Sequence, residues 1–546
     1  MRRSDYWSRA DGPTERVVWA DAICINQRNG EEKTQQVKLM PLIYSRASQV
    51  VIWLGADEGD AVNALPIIAT TLGDYAASTK EDDPLPYRSF PREAPPGYPD
   101  FGDGKWFSLA RFFDKEWFER IWVIQEAALA SSAVALLGKL QLEWDAIGDT
   151  ALWLYHRQFV DAAFRYVIRL SQEQLPEVKR SLVRMTRAAD IQFTKKFRVT
   201  WDLIRAASRF KCTLPVDRIY GILGLVDDFQ IEPDYSRPVS QVLRSMTRQL
   251  IKKRGDLMIL GQINHEPKSF PSCVPSWVPQ WPCDPFVSTL NLPSVNTAKM
   301  YCASARESLK LEQHQDENYL VLQGIPACKV IACSPTLKTQ LGEVLTMFRS
   351  IKDFIGTYIT SNKSGTLGCY KDEGIYSIFL QILTAGECSP PETESPEDDF
   401  EASTLVLRSL IENRRFLRDM TEYPRASGDK GHEIYPGVMY FNMEEELARG
   451  IIPTVGQKCN DRRLFMTDDG HFGIGPRAME PGDEVAVLFG GMTPFIVRNA
   501  LQQRRESEGH GSYRFVGESY VHGFMKGEVV AAWRNGLYKS VIFELQ

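Results

Sequence analysis

The stretch VVWADAICINQ, residues 17–27, runs from two valines, a tryptophan and an alanine into Asp21, Cys24, Asn26 and Gln27. An acid, a thiol and two amides so close together can orient a polar ligand through hydrogen bonds. They can equally fold a turn, because short polar side chains bond their own backbone. A second group stands about a hundred residues on, in WFERIWVIQEAALA at 117–130. There Glu126 follows Trp122 by four residues and Glu119 by seven, so a helix puts aromatic and acid on nearly one face. Aromatics at that spacing more often fill a core than hold a cofactor.

Other familiar chemistry is missing from the chain. FGDGKW at 101–106 lacks the spacing and the hydroxyl residue of a phosphate-binding loop, and no H-E-x-x-H, G-x-S-x-G or G-x-G-x-x-G pattern occurs. His432, His471, His510 and His522 lie in glycine-rich turns with no nucleophile that spacing would pair with them. Cys328 and Cys333 have no second pair or nearby histidine to complete a tetrahedral zinc site, so no metal is expected and the thiols are read as scattered and reduced.

The elements that must position these residues belong to more than one domain, because 546 residues exceed the usual size of one. With 43% hydrophobic and 25% charged residues the composition is ordinary for a folded protein. A net charge of −6 disfavours a nucleic-acid binder that neutralises phosphates. No apolar run approaches the length of a membrane span, and the first residues lack the apolar core of a signal peptide. The expected location is cytoplasmic.

Residues 17–20 are expected to form a strand, 31–47 a helix interrupted at Pro41, and QVVIWLG at 49–55 a second strand. That order predicts a parallel βαβ unit, with Asp21 to Gln27 and Asp57 at the carboxyl ends of its strands, where ligands of such sheets sit. Residues 80–105 carry six prolines and are expected to be an inserted loop. A helix with Trp117, Ile121, Ile124 and Ala128 on one side should follow, then a buried strand at 133–138.

Residues 146–260 form a mostly helical region, in which the basic runs KRSLVRMTR at 179–187 and KKFR at 195–198 are expected to be solvated. Asp217 and Arg218 precede an apolar helix, where the dipole favours the acid and a structural bridge would explain both charges. A mixed α/β region spans 261–386, and seven acids mark 387–403 as a flexible linker. Residues 404–546 alternate apolar runs with Asp-Gly and Gly-Gly turns, the signature of hairpins in a small barrel or sandwich.

Taken together, VVWADAICINQ, QQVKLMPLIYSRASQVVIWLG at 35–55, WFERIWVIQEAALA, VDRIYGILGL at 216–225 and PDYSRPV at 233–239 resemble the fungal heterokaryon incompatibility (HET) domain proteins. RLFMTDDGHFGIGP, GDEVAVLFGG, PFIVR and FVGESYVHGFMKGE, between 463 and 528, resemble the carboxyl-terminal region that often accompanies that domain. The resemblance places the domain proper within 1–145 and implies a TIR-like fold, a parallel sheet with flanking helices. The family pattern normally begins with an earlier strand, of which DYWSRADG at 5–12 is a faint echo, so the domain is expected to be shortened or degenerate and its sheet to have an unpaired edge.

The resemblance also implies a component of nonself recognition that triggers cell death, acting through self-association or other incompatibility proteins. Its motif residues fall on Asp21, Cys24, Gln27, Arg120, Trp122, Gln125 and Glu126. Some relatives cleave NAD, which would then be a substrate rather than a bound cofactor. In that case Glu126, with Asp21, would act catalytically: a carboxylate can stabilise the oxocarbenium-like charge that develops as a glycosidic bond breaks. Arg120 would grip phosphate with its planar fork, Trp122 would stack on a base, and Gln27 would orient ribose hydroxyls, beside Cys24 and Gln125. In the competing reading, Arg120 and Glu126 are a structural ion network and the domain signals without catalysis.

Overall fold

The computed structural model describes residues 17–57, 59–78, 94–157, 175–267, 274–280, 289–290, 301–338, 344–361, 374–387, five positions between 404 and 411, 454–500 and 510–546. The faint echo at 5–12, most of the proline-rich stretch and nearly all of the acidic linker lie outside them. The chain divides into two compact units, Met1–Val242 and Leu243–Gln546.

In the first unit, residues 17–20 form no strand. Val17 and Val18 are exposed, the Trp19 ring packs edge-on against Tyr44 at 5.8 Å, and the chain turns at once into a short helix α1, Asp21–Cys24. An apolar run becomes a strand only when another strand pairs with it, and here the aromatic contact holds the segment instead. Helix α2, Gly30–Arg46, begins where the Asn29 side chain accepts the N–H groups of Glu31 and Glu32, and it runs through Pro41 without a break.

The expected βαβ unit is therefore absent. Strand β1, Val50–Gly55, pairs in parallel instead with β2, Ala133–Leu137, which is buried throughout. A tight turn returns β2 antiparallel to β3, Leu140–Glu143, so the three-stranded sheet is mixed rather than parallel. Gly138 makes that turn at φ +58°, and a Cβ there would lie 2.7 Å from Cβ of Asp57, which follows the end of β1. Among the described residues β1 has a strand on one side only. Helices α3, Asp60–Ser78, α4, Gly104–Phe113, α6, Trp144–His156, and α7, Leu175–Phe197, pack around one another. Trp144 donates its indole N–H to Gln192 at 2.9 Å.

The single helix expected across 117–128 is two pieces, a 3-10 turn at Glu116–Glu119 and helix α5, Val123–Ala128. Trp117, Ile121, Ile124 and Ala128 are buried, as the spacing requires, but the backbone at Arg120 leaves the helix to bridge Lys211. Ile121 N–H donates to Lys211 O at 2.9 Å, and Lys211 N–H donates to Glu119 O at 2.6 Å. The basic run at 179–187 is solvated only in part, with Arg180 exposed. Arg184 and Arg187 are buried against Asp114 and Glu119, because carboxylates inside the unit compensate them.

The second unit is β-rich. Strand β5, Leu320–Cys333, is its long axis, preceded by the short β4, Leu311–Glu312, which pairs with it. Strands β6, Arg462–Thr467, and β7, Phe472–Pro476, form the hairpin expected around Asp-Asp-Gly. Strands β8, Glu484–Leu488, and β9, Phe495–Asn499, form the next one. Strand β10, His510–Glu518, pairs antiparallel with β9 and in parallel with β12, Val541–Leu545, and β12 and β8 both pair with β5. Five strands thus close into a barrel, one of the two architectures expected. Its interior holds Ile325, Val485, Val487, Ile496 and Val516. Register shifts after Pro326 and Val330 bend β5 so that its far end joins the β6–β7 hairpin, extended by β11, Tyr520–Val521. That hairpin packs on helices at Val344–Ser361 and Ile375–Leu383.

Candidate functional site

Asp21 opens α1, where one carboxylate oxygen accepts the Ala22 N–H at 2.8 Å. Gln27 folds back to donate its amide to Asp21 O at 3.2 Å, and Asn26 N–H donates to Glu32 at 2.9 Å. The polar tail of the first stretch is thus a loop bonded to itself, not the carboxyl edge of a strand. Cys24 lies exposed within it, its thiol free of any disulfide. The other Asp21 oxygen is 3.7 Å from Nη2 of Arg120, with both side chains about half exposed. That distance is too long for a hydrogen bond, so the guanidinium keeps donors to offer a ligand.

Glu126 is on α5 and accepts the indole N–H of Trp117 at 3.1 Å. Tyr44, on α2, is within electrostatic reach of both carboxylates. Burial pushes its phenol well above the usual tyrosine range, the charges of Glu126 and Asp21 push it further, and Arg120 acts in the opposite sense. Asp21, Arg120 and Glu126 therefore all act electrostatically on one phenol, although the short helix, turn and helix that carry them are far apart in sequence.

Trp122 and Gln125 serve a different neighbourhood. Gln125 is 1% exposed and donates its amide to Tyr220 O at 2.9 Å, which ties α5 to the short helix Asp217–Tyr220. Trp122 hydrogen-bonds the Asp217 carboxylate. Asp217 is 3% exposed and also accepts the Tyr235 hydroxyl at 2.8 Å. Burial raises its pKa against the opposing pull of Tyr235, Lys33 and Trp122. Asp217 is thus bonded to aromatic side chains, with the Lys33 ammonium 4.2 Å over the Tyr235 ring.

Beneath Arg120 lies a buried ionic layer. Glu119 receives Arg184 at 3.2 Å, Arg187 at 3.2 Å and Lys211 at 2.6 Å. Burial alone would raise its pKa, but hydrogen bonds and charge from Lys211 and Arg184 outweigh that and hold it at about 2. This layer anchors the turn from which Arg120 projects.

Of the residues singled out from sequence, Asp21 and Arg120 come together, with Gln27 on the Asp21 backbone, and Glu126 shares with them the field at Tyr44. Trp122 and Gln125 brace the domain. Tyr44, Trp117 and Tyr235 were not singled out as site residues. The first two carried only a core-like spacing, and no local signal links Tyr235 to Asp217.

Residues 5–126 match the family described as Heterokaryon incompatibility protein (HET), and residues 408–538 match the Het-6 beta-barrel domain. The chain is 24% identical over 581 residues to the heterokaryon incompatibility protein 6, OR allele, of Neurospora crassa, a similarity covering 94% of this chain and 81% of that relative. No solved structure matches the chain.

Proposed function

We propose, taking as premise that the chain belongs to the heterokaryon incompatibility (HET) domain proteins, that it acts in fungal nonself recognition and that its first unit delivers a cell-death signal. The observation that carries this reading is the similarity to a named incompatibility protein along 94% of the chain, with both family matches in order. Action in the cytoplasm, through self-association or other incompatibility proteins, fits this reading. Among the described residues no helix is long and apolar enough to cross a membrane. The test is genetic: a fungal strain expressing the full chain is fused with strains carrying the same or a divergent allele. Growth arrest and dye uptake only in the unlike fusions are expected. Equal viability of both kinds of fusion would refute the proposal.

A second reading is favoured by Asp21 and Arg120 lying side by side and by the field that both, with Glu126, exert at Tyr44. In it the first unit, TIR-like in activity, cleaves NAD at the nicotinamide–ribose bond. Arg120 offers its free donors to the diphosphate. Glu126, held by Trp117, faces the developing positive charge, and Asp21 orients the ribose with Gln27. Purified full-length protein should then release nicotinamide from NAD. Glu126→Gln should slow that release by about a hundredfold or more with an unchanged melting temperature, as loss of an aimed electrostatic group does. Equal turnover by the variant would remove Glu126 from the chemistry, and no release by the parent protein would remove the chemistry itself.

A further inference from the structure

The turn between β6 and β7 lies outside the residues on which that reading rests. It brings Asp468 and Asp469 against Cys328 of β5, so that the thiol and one carboxylate oxygen from each aspartate lie within 4.8 Å of one another. The donors are held from two sides. Asp468 accepts the Lys329 N–H at 2.9 Å, and its own N–H donates to Lys329 O at 2.9 Å. Asp469 accepts the Thr467 hydroxyl at 2.6 Å and lies 3.0 Å from Nδ1 of His471, whose ring packs on Phe524. The three donors thus meet on a strand and a hairpin turn already fixed in register.

Among the described residues no lysine or arginine pairs with Asp468 or Asp469. A buried thiol faces two carboxylates without a cationic side chain between them. Burial, and then the charges of Asp469 and Asp468, push the thiol far above its usual range. The Tyr538 phenol is raised by burial and by the same three groups, so the C-terminal segment faces the cluster too. One sulfur and two carboxylate oxygens brought this close together are a donor set that suits a bound cation.

We propose that Cys328, Asp468 and Asp469 form a site for one divalent transition-metal cation of the zinc type, with His471 orienting Asp469 from outside. Sulfur selects zinc over magnesium or calcium, which take oxygen donors, and a carboxylate–histidine pair behind a ligand is a usual outer support. As the sulfur–metal bond forms, the thiol proton leaves to solvent, so affinity rises with pH. The cation joins the middle of β5 to the β6–β7 turn and stabilises the second unit.

The test uses the full chain, stripped with a chelator and desalted, then given zinc in equilibrium dialysis and cobalt(II) in absorption spectroscopy. One zinc per chain, a raised melting temperature and a thiolate-to-cobalt charge-transfer band are expected. Cys328→Ser should abolish the band. The pair Asp468→Asn with Asp469→Asn, both exposed and so tolerated by the fold, should weaken zinc binding by more than the roughly 10- to 100-fold that loss of an outer partner costs. Far-UV circular dichroism of the metal-free variants checks their folding. No stoichiometric zinc, or a band and affinity that survive these substitutions, would overturn the site.

Discussion

Glu119 shows how a single carboxylate governs the placement of a functional neighbour. Three cations surround it, and its pKa is held at about 2 against an ordinary 4.5. A carboxylate whose folded pKa is depressed contributes stability that is present above the ordinary value and is lost as pH falls toward the folded one. The first unit should therefore lose stability as pH drops from about 4.5 toward 2. Glu119→Gln should flatten that part of the pH profile. At neutral pH the same change leaves Arg184 and Arg187 buried without their partner, which costs about 3 to 5 kcal/mol, measurable by denaturant unfolding. If Glu119→Gln unfolds with the parent midpoint and pH profile, the ionic layer does not anchor Arg120. The same residue marks a limit of sequence reading. A basic run with interspersed acids is solvated unless carboxylates from elsewhere reach it, and Asp114 and Glu119 are supplied by tertiary packing alone.

At the scale of elements, local patterns held wherever one segment carried its own partner. The β6–β7 and β8–β9 hairpins were legible because alternation and turn glycines sit side by side in the chain. The strand expected at 17–20 failed because nothing local distinguishes an apolar run paired to a strand from one held by an aromatic contact, here Trp19 on Tyr44. The candidate site followed the same rule: Asp21 and Gln27 were visible as a polar tail, whereas Tyr44 read only as the core side of a helix. The segment 216–225, placed by sequence in a helical middle region, in fact packs on the elements of the site. Gly224 shows this, since a Cβ there would stand 2.5 Å from Cβ of Pro41 and 3.3 Å from Leu129. Pro41 lies in mid-helix, so neither side can retreat cheaply. Gly224→Ala should cost about 1 to 3 kcal/mol through overpacking, read as a lower urea midpoint. An unchanged midpoint would mean that α2 yields there without strain.

The second unit as a whole is closed by strands far from its hairpins. Three of the five barrel junctions involve β5 or β12: β5 pairs with β8 on one side and with β12 on the other, and β12 pairs with β10. The matched barrel segment, 408–538, contains β8, β9 and β10 but neither β5 at Leu320–Cys333 nor β12 at Val541–Leu545. Without those two strands the barrel becomes an open three-stranded piece with both edges bare, and the interior that Ile325 helps to fill lies open to water. A fragment of residues 408–538 should therefore aggregate or stay unfolded. A fragment of residues 243–546 should give one cooperative thermal transition and dispersed amide resonances, because every strand pairing of the barrel is internal to it. Adding the missing strands in trans as peptides should not rescue the short fragment at micromolar concentration, since the entropy of bringing separate chains together opposes closure. A folded 408–538 fragment would show that the barrel closes by pairings other than those through β5 and β12.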